Sequence, residues 1–503
     1  MINRVILRLL CFVLPISLIF SGCAVGPDFK APLAPKNAGN EYSSEAIATT
    51  TESVANSDTD KAGIAQHIVY GKELPAQWWT LFHSEALDQL IRCALQQNPT
   101  FAAAQATLRQ AKESFNAESG SLLYPGVNAQ LGASRQQAQL YAATPSVYNL
   151  YNASVNVSYN LDIFGASHRQ LESMLAAVDY QSFELEASYQ ILVSNVVTTA
   201  IREALLRAQL KATQNILDAQ QKQLDVIEKQ FTLGAVTRSV ELLQKTLVAQ
   251  TQASLPSLEK SLAQTRHQLA VYVGKLPSES GLPEFQLDTL QLPQDLPVSL
   301  PSSLVRQRPD IRASEALFHQ ASALVGVATA NQYPQINLTG SYGYSYVQLG
   351  SVGAGSSLWS LGAGLTQPIF NAGALKAKRR AAEAAYDQAE AEYRWTVLTA
   401  FQNVADNLRA VDSDAAAYKA QANAESLALE SLELSQHQYQ LGAVSFLTVL
   451  DAERSYQQAH INLVAAQAAR MTDTAALFVS LGGGWWNRPE DNAAIDKKDP
   501  GKS

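Results

Sequence analysis

The sequence predicts a mainly α chain with a transmembrane β portion and an internal twofold repeat, on three observations. Two stretches of the 503-residue chain match each other in order, roughly 206 to 210 residues apart. Each carries helical apolar spacing sustained far beyond an ordinary globular helix. Each also carries two runs of alternating apolar and polar residues, of the length a tilted strand needs to cross a bilayer.

The chain opens with an export leader. Arg4 and Arg8 flank the start of an apolar run from Ile6 to Phe20 that is too short to remain as a spanning helix. The run ends in Phe20-Ser21-Gly22-Cys23, which has the form of a lipobox: small residues fit the peptidase, and the Cys23 thiol takes a diacylglycerol and becomes the mature N-terminus. A plain secretory leader with an incidental cysteine is the alternative. Non-acidic Ala24 next to the cysteine reads as an outer-membrane address. With Cys11 removed and Cys23 acylated, Cys93 is the one remaining thiol, so an intrachain disulfide is excluded. Loss of the leader removes two arginines and no acid, taking the formal charge from −8 to −10. Nucleic acid is a poor partner for so acidic a chain. No later apolar stretch is long enough for a helical span, so any further crossing of the membrane must use strands.

The repeat is read from matched segments. Asn98-Pro99, Ala103, Gln110 and Ala111 answer to Arg308-Pro309, Ala313, Gln320 and Ala321. Tyr124-Pro125 ahead of Val127-Asn128 answers to Tyr333-Pro334 ahead of Ile336-Asn337. Ile163-Phe164, Tyr180 and Glu186 answer to Ile369-Phe370, Tyr386 and Glu392, and Leu233-Gly234-Ala235-Val236 returns as Leu441-Gly442-Ala443-Val444. Each copy therefore runs helix, two strands, very long helix, tight turn, long return helix. The first long helix covers about residues 166 to 232, on the order of 100 Å. Leu210, Leu217, Leu224 and Phe231 fall at sevens, with Leu255, Leu262 and Leu269 on the return, which predicts a coiled-coil hairpin turning at Gly234. In the second copy the seam reads as Leu427, Leu434 and Leu441, then Leu450, Val464, Met471 and Phe478, turning at Gly442. Helices over about 84 to 122 and 304 to 332 precede the strands. The organisation is leader 1–22, lipidated extended segment 23–83, first repeat 84–275, linker 276–303, second repeat 304–486 and polar tail 487–503.

The strand patterns are Val127, Ala129, Leu131, Ala133 and Ala153 to Leu161 in the first copy. In the second they are Ile336, Leu338, Tyr342, Tyr344, Tyr346, then Leu361, Ala363, Leu365, with Trp359 and the tyrosines suited to interfacial girdles. Four strands cannot close a barrel and lipid tolerates no open sheet edge, so several chains must contribute to one barrel. Two soluble hairpins capping a helical bundle are the alternative. The intervening segments Gln136 to Val147 and Gln348 to Ser357 read as flexible exterior loops.

Five segments in order, "CAVGPDFKAP", "WWTLFHSEALDQLI", "YNLDIFG", "RPDIRASEA" and "LGGGWW", resemble the TolC/OprM-type outer-membrane efflux lipoprotein family over nearly the whole mature chain. The resemblance implies a homotrimer with a long coiled-coil α-barrel, in which four strands per chain build a 12-stranded β-barrel in outer-membrane lipid. It further implies docking to a periplasmic adaptor (membrane fusion) protein and to an inner-membrane pump of the resistance-nodulation-division type. It calls for no cofactor, metal or catalytic residue. By the same resemblance the resting channel closes at the periplasmic tips through the second return helix. Leu447 is then an apolar plug, with Asp451 one turn higher as a carboxylate ring that favours cations. Tyr439 and Glu241 are placed as a clasp between neighbouring coiled coils, with the first copy reading one residue longer after Gly234. The turns Gly234-Ala235-Val236 and Gly442-Ala443-Val444 are the adaptor footing. Ordinary seam packing for Leu447 and Tyr439, a solvated charge for Asp451 and simple chain reversal for the glycines stand beside these roles.

Enzyme readings fail on spacing. The seven histidines include no His-Glu-x-x-His, and no cysteine pair offers a metal corner. Ser257 and Lys260 fit a Ser-x-x-Lys pattern but sit in a coiled-coil helix without the companion motifs. Gly350, Gly353 and Gly355 lack the lysine of a phosphate loop. A lipid-anchored structural coiled coil or adhesin is the runner-up, disfavoured because a spacer has no use for four amphipathic strands.

Overall fold

The computed structural model describes residues 24–33, 42, 48–54, 62–138, 145–279 and 281–488. The leader, Cys23 and all of the tail from residue 489 onward lie outside the described residues.

After a short strand β1 (His67–Tyr70) and a 3-10 turn (Trp78–Phe82), the first copy runs α1 (Glu85–Gln97), α2 (Pro99–Leu123), β2 (Gly126–Ala138), β3 (Ser146–Leu161), α3 (Ala166–Thr232) and α4 (Arg238–Tyr272). Strand β4 (Asp295–Val298) precedes the second copy: α5 (Pro301–Gln307), α6 (Pro309–Ala330), β5 (Gln335–Leu349), β6 (Val352–Thr366), α7 (Ala374–Gln440) and α8 (Phe446–Ser480). α3 and α7 each have 67 residues, and α4 and α8 each have 35.

Three sequence expectations are corrected at this level. The helices before the strands are each broken in two, because a residue preceding proline is driven out of the helical region. Asn98 sits at φ −67°, ψ 121° and Arg308 at φ −80°, ψ 126°. Asn98 then serves as cap for α2, its Oδ1 accepting from the Phe101 N–H at 2.9 Å. The repeat from β3 onward keeps a constant step of 208 residues, that of Gly165 to Gly373 and of Gly234 to Gly442. The Ile163-Phe164, Tyr180 and Glu186 matches are therefore two residues out of step. Burial follows the structural step: Tyr189, Leu192, Val196 and Ala200 are buried, as are Val397, Ala400, Val404 and Leu408. The step also makes the two hairpin turns equal in length, so no residue is inserted after Gly234.

The third correction concerns the second seam. Leu427, Leu434 and Leu441 are exposed, whereas Leu408, Val411, Ala415, Tyr418 and Leu432 are buried. α7 thus carries two apolar stripes, and spacing by seven cannot say which one meets α8.

The chain divides into two compact units. Among the described residues, one contains those of 106–182 and 313–395 with the segment 24–32, and the other those of 33–105, 183–312 and 396–488. The first holds one antiparallel sheet in the order β2-β3-β5-β6, so the two copies join through β3 and β5. Its N-terminal segment lies against α3 and α6: the Val25 N–H donates to Phe164 O at 3.1 Å, Arg169 pairs with Asp28 at 2.6 Å, and Phe29 stacks on His319.

The second unit has a core of Trp78, Trp79, Phe82, Leu87, Ile91, Phe285 and Phe478. Removing one such aromatic side chain costs about 3–5 kcal/mol. Segment 276–303, expected as a linker, is part of this core, because Leu287, Leu290, Leu292 and Leu296 are buried and β4 pairs in parallel with β1. Arg470, itself buried, holds residues 62–66 against α8, donating to Ala62 O, to Ile64 O at 3.1 Å and to Gln66 Oε1 at 3.4 Å.

Candidate functional site

The two hairpin tips are built alike. Gly234 and Gly442 adopt φ +75° and +70°, with no atom near the place where a Cβ would stand, so backbone conformation rather than space demands glycine. In each turn the glycine N–H donates three residues back, and the following alanine N–H donates five back, to Gln230 O and Gln438 O at 2.8 Å. This Schellman closure satisfies the last helix carbonyls. Leu233, Gly234 and Ala235 are exposed and Val236 is half-buried, and Leu441 to Val444 repeat that sequence of exposures.

Behind the turns, Ile227, Leu247, Leu432, Phe446, Val449 and Leu450 form one buried cluster joining the two hairpins, with Tyr439 packed on it. The Tyr439 and Phe446 rings lie 5.4 Å apart, and burial raises the Tyr439 hydroxyl above its usual pKa. Since Phe446, Val449 and Leu450 face inward, helical period turns Leu447 and Asp451 outward together, and both are exposed. Arg454, not anticipated from the sequence, lies 3.9 Å from Asp451 one turn on. Glu241 is buried but is not joined to Tyr439 within the chain. Its carboxylate takes Lys245 at 2.7 Å and Arg238, and those hydrogen bonds, Lys245 first, hold it below the usual carboxylate range.

The register sorts the sheet into two chemically distinct faces. Val127, Leu131, Val155, Val157, Leu338, Tyr342, Trp359, Leu361 and Leu365 fall on one face, and Asn128, Gln130, Ser154, Asn156, Thr339, Ser341 and Ser360 on the other. Arg135, the one charged residue in the four strands, falls on the first of these faces, opposite Asn149 near the hairpin end of β2. At 13 to 16 residues each strand exceeds the roughly 9–11 needed to cross a bilayer when tilted.

The expected loop from Gln348 to Ser357 is corrected to strand. Leu349 pairs with Val352 across a two-residue turn, in which Gly350 has φ +55°. The glycines there serve close approach: the Tyr346 and Tyr344 rings of β5 lie where side chains at Gly353 and Gly355 would stand. In the first hairpin, Gln136 to Ala138 pair with Ser146 to Tyr148, so that loop is also shorter than its composition suggested.

Sequence reasoning also missed an acid pair in the second hairpin. Asp414 of α7 and Asp473 of α8 approach each other beside Arg470, and burial together with the shared proton pushes Asp414 up to about 7. Neither residue stands in a recognisable motif.

A sheet with a largely apolar and a largely polar face, in a chain that also builds two long helical hairpins, is the make-up of a membrane-channel subunit. A profile of the family described as outer membrane efflux protein matches residues 90–275 and 300–483. The chain belongs to that family: it is an outer-membrane efflux channel protein and not an enzyme. The pyoverdine export outer membrane protein OpmQ of Pseudomonas aeruginosa is 31% identical over 432 residues, 84% of this chain and 90% of that protein. The cation efflux system protein CusC of Escherichia coli is 28% identical over 489 residues, 94% and 99% of the two. The solved structure of the outer-membrane channel OprN matches with a TM-score of 0.80 at 26% identity, over 92% of this chain and 100% of that one.

Proposed function

We propose that this chain is the outer-membrane duct of a tripartite efflux system, a homotrimer whose three four-stranded sheets close one 12-stranded barrel. The observation that carries the reading is the sheet itself. β2 and β6 leave both margins unpaired on a sheet whose apolar face suits only lipid, and each unmade backbone hydrogen bond in lipid costs several kcal/mol. A second copy supplies the missing partner. Burial supports the same arrangement: no residue of α2 is buried and β6 is exposed throughout, whereas α6, the counterpart of α2 in the second copy, buries Ile311, Phe318, Ala323 and Val325. The extra apolar stripe Leu427, Leu434 and Leu441 gives neighbouring hairpins a seam.

In this reading Cys23 carries the lipid anchor. Ala24, the first described residue, packs on Gly165 just past the end of β3. The Leu-Gly-Ala-Val turns are the adaptor footing, beyond which stands an inner-membrane pump of the resistance-nodulation-division type. Leu447 and Asp451 form the resting constriction. Tyr439 and Glu241 then brace it, with Glu241 acting through its Arg238 and Lys245 pairs. Cargo is small and chemically varied, in keeping with relatives named for pyoverdine, toluene and cations.

Electron microscopy of the detergent-purified particle tests the assembly: threefold symmetry is expected, and a monodisperse single-copy particle would refute it. Planar-bilayer recording tests the gate. Asp451→Ala should raise closed-state conductance, and unchanged conductance removes Asp451 from the constriction.

A further inference from the structure

The internal repeat also specifies how neighbouring copies meet, residue by residue; this rests on the ring of copies proposed above. Within the chain, β3 of the first copy pairs with β5 of the second, with Val157 opposite Gly340 and Val155 opposite Tyr342. β2 and β6 occupy the corresponding places at the two free margins. Pro125 preceding β2 corresponds to Pro334 preceding β5, a step of 209 residues. For β3 and β6 the hairpin registers fix the step. Val127 pairs with Val157 and its counterpart Ile336 pairs with Leu365, a step of 208, the same as between α3 and α7.

Carrying the β3–β5 register through these steps, we infer that β6 of one copy pairs antiparallel with β2 of the next, with Leu365 opposite Leu131 and Ala363 opposite Ala133. The same register brings Ile369, 95% exposed just beyond β6, opposite Val127 of the neighbour, which is 65% exposed. Two consequences of this register follow. Residues of each face meet only residues of the same face, which excludes a slip of one residue; Arg135, near the hairpin end of β2, then falls opposite Leu361. On the polar face the register sets Ser360 opposite Gln136 and Thr366 opposite Gln130, pairs able to hydrogen bond. A register taken from the Ile163-Phe164 to Ile369-Phe370 match would differ by two residues and set Leu365 opposite Ala129.

The experiment is disulfide trapping in the membrane-inserted full-length protein carrying Cys93→Ser. Leu131→Cys/Leu365→Cys is compared with Ala129→Cys/Leu365→Cys, and Ala133→Cys/Ala363→Cys repeats the same register with smaller changes. Val157→Cys/Gly340→Cys, opposed within one chain, calibrates oxidation at this type of strand pair. Directly opposed Cβ atoms lie about 4.5–5.5 Å apart and those offset by two about 7–8 Å, so only the first come within reach of a disulfide. The two in-register pairs should yield covalent dimers and trimers on denaturing gels at least tenfold above the offset pair. Preferential linkage of Ala129→Cys/Leu365→Cys in an intact trimer overturns the register but leaves the ring standing. Equal linkage of both pairs, or linkage confined within one chain, also overturns it. A particle of single-copy mass overturns both register and ring.

Discussion

Replacing Leu361 by arginine sets the assignment of the two sheet faces against a control one residue away. Leu361 is 84% exposed near the middle of β6, opposite Gly340 on the apolar face. Ser360, its neighbour, points to the other face and shares a 2.8 Å hydroxyl contact with Ser341. An arginine near the centre of a lipid-facing strand costs about 2–4 kcal/mol, so the three copies of the proposed trimer would accumulate about 6–12 kcal/mol, comparable with the whole stability of many domains. Ser360→Arg introduces the same charged side chain, yet its guanidinium would enter the interior of the proposed barrel. The assay is the fraction of protein recovered as trimer in isolated outer membranes, with refolding into vesicles under urea as an independent measure. Leu361→Arg should lose nearly all trimer, and Ser360→Arg should keep most of it while altering ion selectivity. Equal assembly of the two variants, or the reverse ranking, would refute the face assignment and with it the membrane role of the sheet.

Four further outcomes follow from the same geometry. Gly442→Ala forces an L side chain into the left-handed region and should cost about 1–2 kcal/mol in thermal unfolding, with Gly442→Asn recovering part of the loss; no change would show that the turn relaxes. Arg470→Met deprives the buried Ala62 carbonyl and the half-buried Ile64 carbonyl of their donor and should destabilise by about 3 kcal/mol, read as a loss of protease resistance in residues 62–66; full resistance would contradict the clamp. For Asp414 the folded pKa of about 7 lies above the ordinary 3.8, so the native state binds the extra proton and stability falls as pH rises across that window. Asp414→Asn should remove this decline in the melting temperature between about pH 4 and 7, and an unchanged slope would exclude the acid pair as its source. Arg454→Gln frees Asp451 from its loose partner and should increase cation over anion permeability in bilayer recordings, whereas unaltered selectivity would set Arg454 outside the conducting path.

What the sequence determined by itself was the class of every major element. Long helices show in sustained apolar spacing, the turns at Gly234 and Gly442 in a four-residue identity, and the strands in strict alternation; these are local properties of the chain. The same patterns located Leu447 and Asp451 on one helix face, because that follows from period alone. Alternation also shows which residues share a face, but not which strand stands beside which, since β3 could have closed on β2 only. The β3–β5 junction and the parallel β1–β4 pair join residues more than a hundred positions apart. The buried seam of α7 was equally hidden, for leucines at 427, 434 and 441 satisfy a repeat of seven as well as the true contact does. Glu241's attachment to Arg238 and Lys245, the Arg470 clamp and the Asp414–Asp473 approach arise from side chains meeting in three dimensions. Periodicity encodes direction from a local axis, whereas a partner is chosen by the competition of all surfaces to leave water, and that competition is settled only when the chain is folded.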